Sequence, residues 1–208
     1  MPSRVTYLIG AGGHAKVIAD MLIQSGRPPA AFLDDAPQRN QLLGITVIKG
    51  LELAEPDSAV IVAVGDNATR ERIAQRYSTF DVAIHPSAIV SRDAEIGPGS
   101  VVMAGAVINA GARVGAHCIV NTGAIVDHDC LISNFAHIAP GATLGGNVRV
   151  GVGSMVGLGA NVIHGCSIGD HTVVGAGSTV VGDLPPSVVV IGSPARAVRT
   201  RAHDDKYL

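Results

Sequence analysis

The hydrophobic pattern changes period partway along the chain. Residues 5–9 form a short apolar run, and Gly10, Gly12 and Gly13 follow as a turn. Over residues 14–24 the apolar residues Ile18, Met21 and Leu22 share one helical face, which Gly26 closes. Residues 30–33 read as a second strand ending at Asp34 and Asp35. Residues 59–64 read as a third strand ending at Gly65, and residues 68–77 as a second helix. Alternation of strand and helix predicts a small βαβ unit with a parallel sheet.

From residue 83 the period is six. The blocks run AIHPSA, IVSRDA, EIGPGS and onward to VVGAGS and TVVGDL. The second letter is Ile, Val or Leu in every block from Ile84 to Val180, and the sixth is small except at Val148 and Leu184. This is the hexapeptide repeat of a parallel β-helix, in which each block supplies one short strand and one turn. Three strands close a triangular coil of about 18 residues, and coils stack at about 4.8 Å. The aliphatic second residue points into the prism, and the small sixth residue fits near a corner. The pattern stops at Pro185 and Pro186; residues 188–191 read as one last strand, and the polar tail as a short helix or a disordered end. The expected organisation is an α/β domain over 1–82, a β-helix over 83–184 and a C-terminal extension over 185–208.

Composition agrees with narrow, repeated packing layers. Hydrophobic residues make up 47% of the chain but aromatics only 3%, with no Trp and 26 glycines. A net charge of -2 without acidic or basic blocks gives no reason to expect nucleic acid or a membrane surface as partner. The apolar runs have strand length, and the start shows no signal-peptide pattern, so a cytoplasmic protein is expected. Cys118, Cys130 and Cys166 fit no metal spacing and all occupy the sixth position, which accounts for them as small buried residues.

The repeat also sorts the histidines. His128 and His164 are two coils apart and share a face; His117 and His171 are three coils apart and share another. His128 stands in IVDHDC between Asp127 and Asp129. A carboxylate beside an imidazole orients it and raises its basicity, as a general base requires; a solvated turn histidine is the other reading. In an extended segment both carboxylates would point away from His128, and only a sharp turn would bring one to it. His137 lies half a coil further on. It cannot face the same way as His128 within one chain, and would meet a neighbour's His128 only in a side-by-side assembly. The turn at Gly10, Gly12 and Gly13 places backbone N–H groups at a helix N-terminus, which suits an anion. With Ala15 it is not a dinucleotide fingerprint, and a tight turn without ligand is the alternative.

The repeat over residues 84–184 resembles the left-handed β-helix of the acyltransferase superfamily. GSPARAV, residues 192–198, is similar to the G-x-P-A-[KR] stretch that follows the last coil there. IGAGGHAKV (9–17), FLDD (32–35) and VGDN (64–67) resemble the sugar acetyltransferases typified by sialic acid O-acetyltransferases and by N-acetyltransferases of nucleotide-linked 4-amino-4,6-dideoxy sugars. The resemblance implies a left-handed prism behind a Rossmann-like α/β domain. It also implies acetyl-CoA as co-substrate, no metal, and a homotrimer with coenzyme A lying along the coils between two chains. It makes His128 the base and Asp129 its helper, and it places His137, Leu158 and Ala176 against acetyl-CoA, with Asn121 as a polar neighbour. Leu158 and Ala176 are 18 apart and so stack in one column. Gly12, Gly13, His14, Asp34, Asp35 and Gly65 would surround the nucleotide, although Asp34 and Asp35 read equally as strand-end turn residues.

The expected reaction is acetylation of the 4-amino group of a nucleotide-linked 4-amino-4,6-dideoxy sugar, in polysaccharide biosynthesis. O-acetylation of sialic acid is the second reading. One rival is a zinc enzyme similar to γ-class carbonic anhydrases, but two coils separate His128 from His164 by roughly 9–10 Å, too far for one zinc. The other is a non-enzymatic repeat scaffold, which would need neither the His128–Asp129 pair nor the GSPAR ending.

Overall fold

The computed structural model describes residues 5–52, 58–202, 204 and 205; His203 lies outside them. The N-terminal unit runs β1 (Thr6–Ile9), α1 (Gly13–Gln24), β2 (Phe32–Asp34), β3 (Gln41–Leu42), β4 (Ile45–Lys49), β5 (Ala59–Val62) and α2 (Asn67–Ala74). The sheet has the order β3-β4-β2-β1-β5. Its central strands are parallel, and every residue of β1 and β5 is buried, as in a parallel sheet covered on both faces. The antiparallel β3–β4 hairpin is absent from the sequence reading. Its two turn residues, Leu43 and Gly44, both have positive φ (54° and 77°), the two-residue geometry usually signalled by Asn-Gly; Leu43 conceals it. Asp66 starts α2 by accepting a hydrogen bond from the Thr69 N–H at 2.8 Å.

From Ala83–Ile84 to Thr179–Val180, two-residue strands recur every six residues, and up to Asn161–Val162 each pairs in parallel with the strand eighteen residues on, as in Val107↔Ile125 and Ile125↔Thr143. They form three faces. Face one carries Val101, Ile119, His137 and Met155; face two carries Ile89, Val107, Ile125 and Thr143; face three carries Glu95, Arg113, Leu131 and Arg149. Second- and sixth-position residues fill the prism, including all three cysteines. The fifth position turns each corner. His117, Asp129, Phe135, Asn147 and His171 hold it at φ between 55° and 61°, and glycine recurs there because this left-handed region costs it least.

The expected last strand is Val188–Gly192, which adds in parallel to face one; the stretch after it differs from expectation, because Ala195–Thr200 folds back as an antiparallel strand, not a helix. Val190 and Ala195 pack onto the prism core, so the hairpin covers an open sheet edge.

Face one is the one covered face. Its outward residues Ala83, Val101, Ile119 and His137 are buried, whereas Ile89 and Ile125 on face two and Arg113 and Arg149 on face three are exposed. The cover is the N-terminal unit: Val101, Met103 and Ile119 share a core with Ile18, Met21 and Leu22 of α1. Arg70 of α2, 1% exposed, fastens the seam. Its Nε donates to the His117 carbonyl (2.8 Å) and Nη2 to the Phe135 carbonyl (2.8 Å), both on the β-helix. Nη2 also donates to Asn67 Oδ1 (2.7 Å), and Nη1 to the carbonyls of Val64 and Gly65 (3.0 and 3.1 Å). Asn67 Nδ2 reaches the Gly153 and Ser154 carbonyls. Three imidazoles share this seam. Burial first, and the Arg70 cation second, pushes His14 and His117 down to about 4 and His137 to about 3.

Two outcomes are expected. Arg70→Leu strands carbonyl acceptors on both units, and should lower unfolding free energy by about 3–5 kcal/mol. Arg76→Leu, which loses only an exposed contact to Glu52, should stay within about 0.5 kcal/mol. Denaturant titration checks both; a loss below about 1 kcal/mol for Arg70→Leu would remove the seam's anchor from the account. The second concerns pH. The unfolded chain protonates these histidines near pH 6.5, the folded chain only near 4 or 3. Their contribution is therefore full above pH 6.5 and is lost as pH falls through that value toward about 4. Thermal midpoints between pH 7.5 and 5 should fall more steeply for the parent than for His137→Asn; equal slopes would contradict the assignment.

Candidate active site

His128 sits at the corner between faces two and three, opposite the covered face. The local fold resolves which carboxylate serves it. Asp127 Oδ1 accepts from the His128 backbone N–H (2.8 Å) and from Asn109 Nδ2 one coil below (2.8 Å). These bonds, Asn109 first, hold its carboxyl below the usual range and commit it to the turn. Asp129 takes the left-handed corner conformation (φ 58°), which breaks strand alternation and brings Oδ2 to 2.8 Å from His128 Nδ1. That bond is the main cause of the raised pKa of His128. With Nδ1–H donating to Asp129, Nε2 keeps its lone pair. Both side chains are more than half exposed, at 55% and 60%. The His128 ring lies over Gly146, one coil on, and the Asp129 carboxylate over Gly111, one coil back. Asp129 also lines a groove of about 290 Å³ with Asp93, Arg113 and Leu131.

The other predicted residues fall into two groups. Leu158 (55% exposed) and Ala176 occupy successive coils of the corner between faces one and two, tied by the Gly177 N–H to the Leu158 carbonyl at 2.8 Å. His137 lies beside that corner, its Nε2 3.0 Å from Asn121 Nδ2 and its Nδ1 buried without a partner. So His137, Asn121, Leu158 and Ala176 line one edge, and His128 is not on it.

The second group surrounds the glycine turn. Gly12 and Gly13 are exposed, and open space lies where a Cβ would stand on either, as at Gly65. No side chain caps the N-terminus of α1. Asp34 shapes this turn: Oδ2 accepts from the Ala11 N–H (2.8 Å) and Oδ1 from the Ala36 N–H (2.9 Å). Asp35 is exposed. His14 faces the seam, with Nε2 buried and unpartnered.

His164 stands in the His128 column beyond Gly146, while His117 and His171 turn the corner between faces three and one. Among the described residues no three His, Cys, Asp or Glu side chains group as metal ligands, and no helix is long and apolar enough to cross a membrane. Sequence reasoning missed Arg70 and Asn67. They lie on a short polar helix that reads as solvated, and no local signal marks them as buried.

Known proteins share this arrangement. Residues 6–77 match the family described as the PglD N-terminal domain. The acetyltransferase domain of PglB from Neisseria gonorrhoeae FA1090, solved in complex with acetyl coenzyme A, is 41% identical. That match covers 94% of this chain and 99% of that one, with a TM-score of 0.88. PerB from Caulobacter crescentus, solved in complex with CoA and GDP-perosamine, is 42% identical over 93% of this chain and 96% of that one, with a TM-score of 0.86. The UDP-N-acetylbacillosamine N-acetyltransferase of Bacillus subtilis (strain 168) is 44% identical over 98 residues, and the matched stretch spans 45% of that protein's length. At this identity across nearly the whole chain, the protein belongs to the acetyl-CoA-dependent sugar N-acetyltransferases that join a PglD-type N-terminal domain to a hexapeptide-repeat β-helix.

Proposed function

We propose that the protein transfers an acetyl group from acetyl-CoA to the 4-amino group of a nucleotide-linked 4-amino-4,6-dideoxy sugar, with His128 as general base. The observation that carries this reading is the bond from His128 Nδ1 to Asp129 Oδ2, which leaves the Nε2 lone pair of a half-exposed side chain free to accept a proton. The acceptor nitrogen attacks the thioester carbonyl; its C–N bond forms as Nε2 takes the proton that the nitrogen sheds. The C–S bond then breaks, and coenzyme A leaves as a thiolate that recovers a proton from the imidazolium. Asp129 stabilises the imidazolium and fixes the tautomer. The uncapped α1 N-terminus behind Gly12 and Gly13 suits the nucleotide's phosphates, and relatives solved with CoA and GDP-perosamine support this class of acceptor.

The site is completed by association. The glycine turn belongs to the unit covering face one, and the Leu158 and Ala176 column borders that face, whereas His128 projects from the opposite corner. An acceptor held on one chain therefore meets the His128 of a neighbour, and three prisms side by side close the ring as a homotrimer.

The test is a pH–rate profile of the parent, His128→Ala and Asp129→Asn. His128→Ala should lower turnover by about 10²–10⁴ with acetyl-CoA affinity nearly unchanged. The parent's acidic limb should lie above the ordinary histidine value, because the Asp129 bond raises His128. Asp129→Asn should move that limb to lower pH and cost less turnover. Parental turnover in His128→Ala at neutral pH would refute the assignment.

A further inference from the structure

We infer that Gly146 is a positioning residue for His128: the missing side chain at residue 146 is what allows the imidazole to lie along the coil with Nδ1 on Asp129. The inference rests on the reading of His128 as the base. The fourth position of the repeat does not otherwise call for glycine. It holds Ala110, Thr122, Pro140, Val152, Leu158 and His164 in other coils, and the one other glycine there, Gly182, has open space where a Cβ would stand. Nor does the backbone require it, because Gly146 is not among the residues of positive φ.

Gly99 and Gly153 also lie under histidine rings, those of His117 and His171, but both are held at positive φ; at Gly146 the ring stands over a glycine that the backbone does not require. A Cβ built there would stand 2.4 Å from His128 Nε2, 2.5 Å from Cε1 and 3.0 Å from Cδ2, and these three ring atoms are its nearest neighbours. Adjacent glycines behave differently. A Cβ on Gly145 would strike the His164 backbone at 2.8 Å. A Cβ on Gly111 would come to 2.5 Å from Asp129 Oδ1, but Gly111 is held at φ +72°, so substitution there also strains the backbone. At Gly146 the colliding atoms end an exposed side chain on a turn. The ring yields and the coil does not. An alanine at 146 is therefore tolerated by the fold yet swings the imidazole away from Asp129 and covers the atom that accepts the proton.

The experiment compares Gly146→Ala with the parent, His128→Ala and Asp129→Asn. The His128 ring titration is followed by NMR in the ligand-free protein, its resonance assigned by its loss in His128→Ala. Turnover is read with acetyl-CoA and a nucleotide-linked 4-amino sugar that the parent accepts. Gly146→Ala should keep the parental thermal midpoint, bring the raised His128 pKa back toward the ordinary value, and reduce turnover by at least about tenfold. In the Asp129→Asn background it should produce no further pKa shift. An unfolded Gly146→Ala, or a folded one with parental titration and turnover, would overturn the inference. Full activity in His128→Ala would instead refute the assignment of the base, leaving the titration to decide whether Gly146 positions the ring.

Discussion

The buried guanidinium of Arg70 is the contact on which the arrangement depends. It donates to two carbonyls of the β-helix and to two carbonyls and one amide oxygen of its own unit. A cation this deeply buried persists only when its donors are satisfied, and removing it strands acceptors on both sides. Together with the apolar core shared with α1, this side chain ties the N-terminal unit to the face it covers. It also holds Gly65 and disfavours charge on His14, His117 and His137. Their lowered pKa values leave these imidazoles neutral at physiological pH. That separates them from His128, whose pKa moves the other way.

Placement of the N-terminal unit sets His128 apart from the glycine turn. A triangular prism has a corner opposite each face, and His128 occupies the corner opposite the covered one. The left-handed fifth position makes that corner usable. It turns the chain at Asp129 sharply enough for a side chain to reach back to its neighbour, which an extended strand would forbid. Asp127, one residue on the other side, is drawn into the turn's own hydrogen bonds.

The period of six was legible because it is enforced twice per block, once by an aliphatic residue in the prism and once by a small one at the corner. That same rule explained Cys118, Cys130 and Cys166 without chemistry. The His128–Asp129 pair was legible as adjacency, but the choice between Asp127 and Asp129 depends on one dihedral that composition does not reveal. Arg70 was hidden because its acceptors are backbone carbonyls, which carry no sequence signature, at positions 47 and 65 residues away. The β3–β4 hairpin was masked by Leu43 in a turn position that favours Asn or Gly. The closing strand at Ala195–Thr200 pairs antiparallel with Val188–Gly192, a contact that the period of six does not encode.

The proposed site takes its acceptor binding and its proton transfer from different chains. Mixed assemblies of two variants test it directly. His128→Ala removes the proposed base; Gly12→Glu puts a negative charge on the turn where the phosphates would lie, at a position with open space around its Cβ. Each homogeneous protein should be nearly inactive, and co-refolded mixtures should recover a substantial fraction of parental turnover, because some sites pair an intact turn with a neighbour's intact His128. Mixtures no more active than the sum of the separate variants, with both still folded and associated, would place the whole site within one chain and contradict the account.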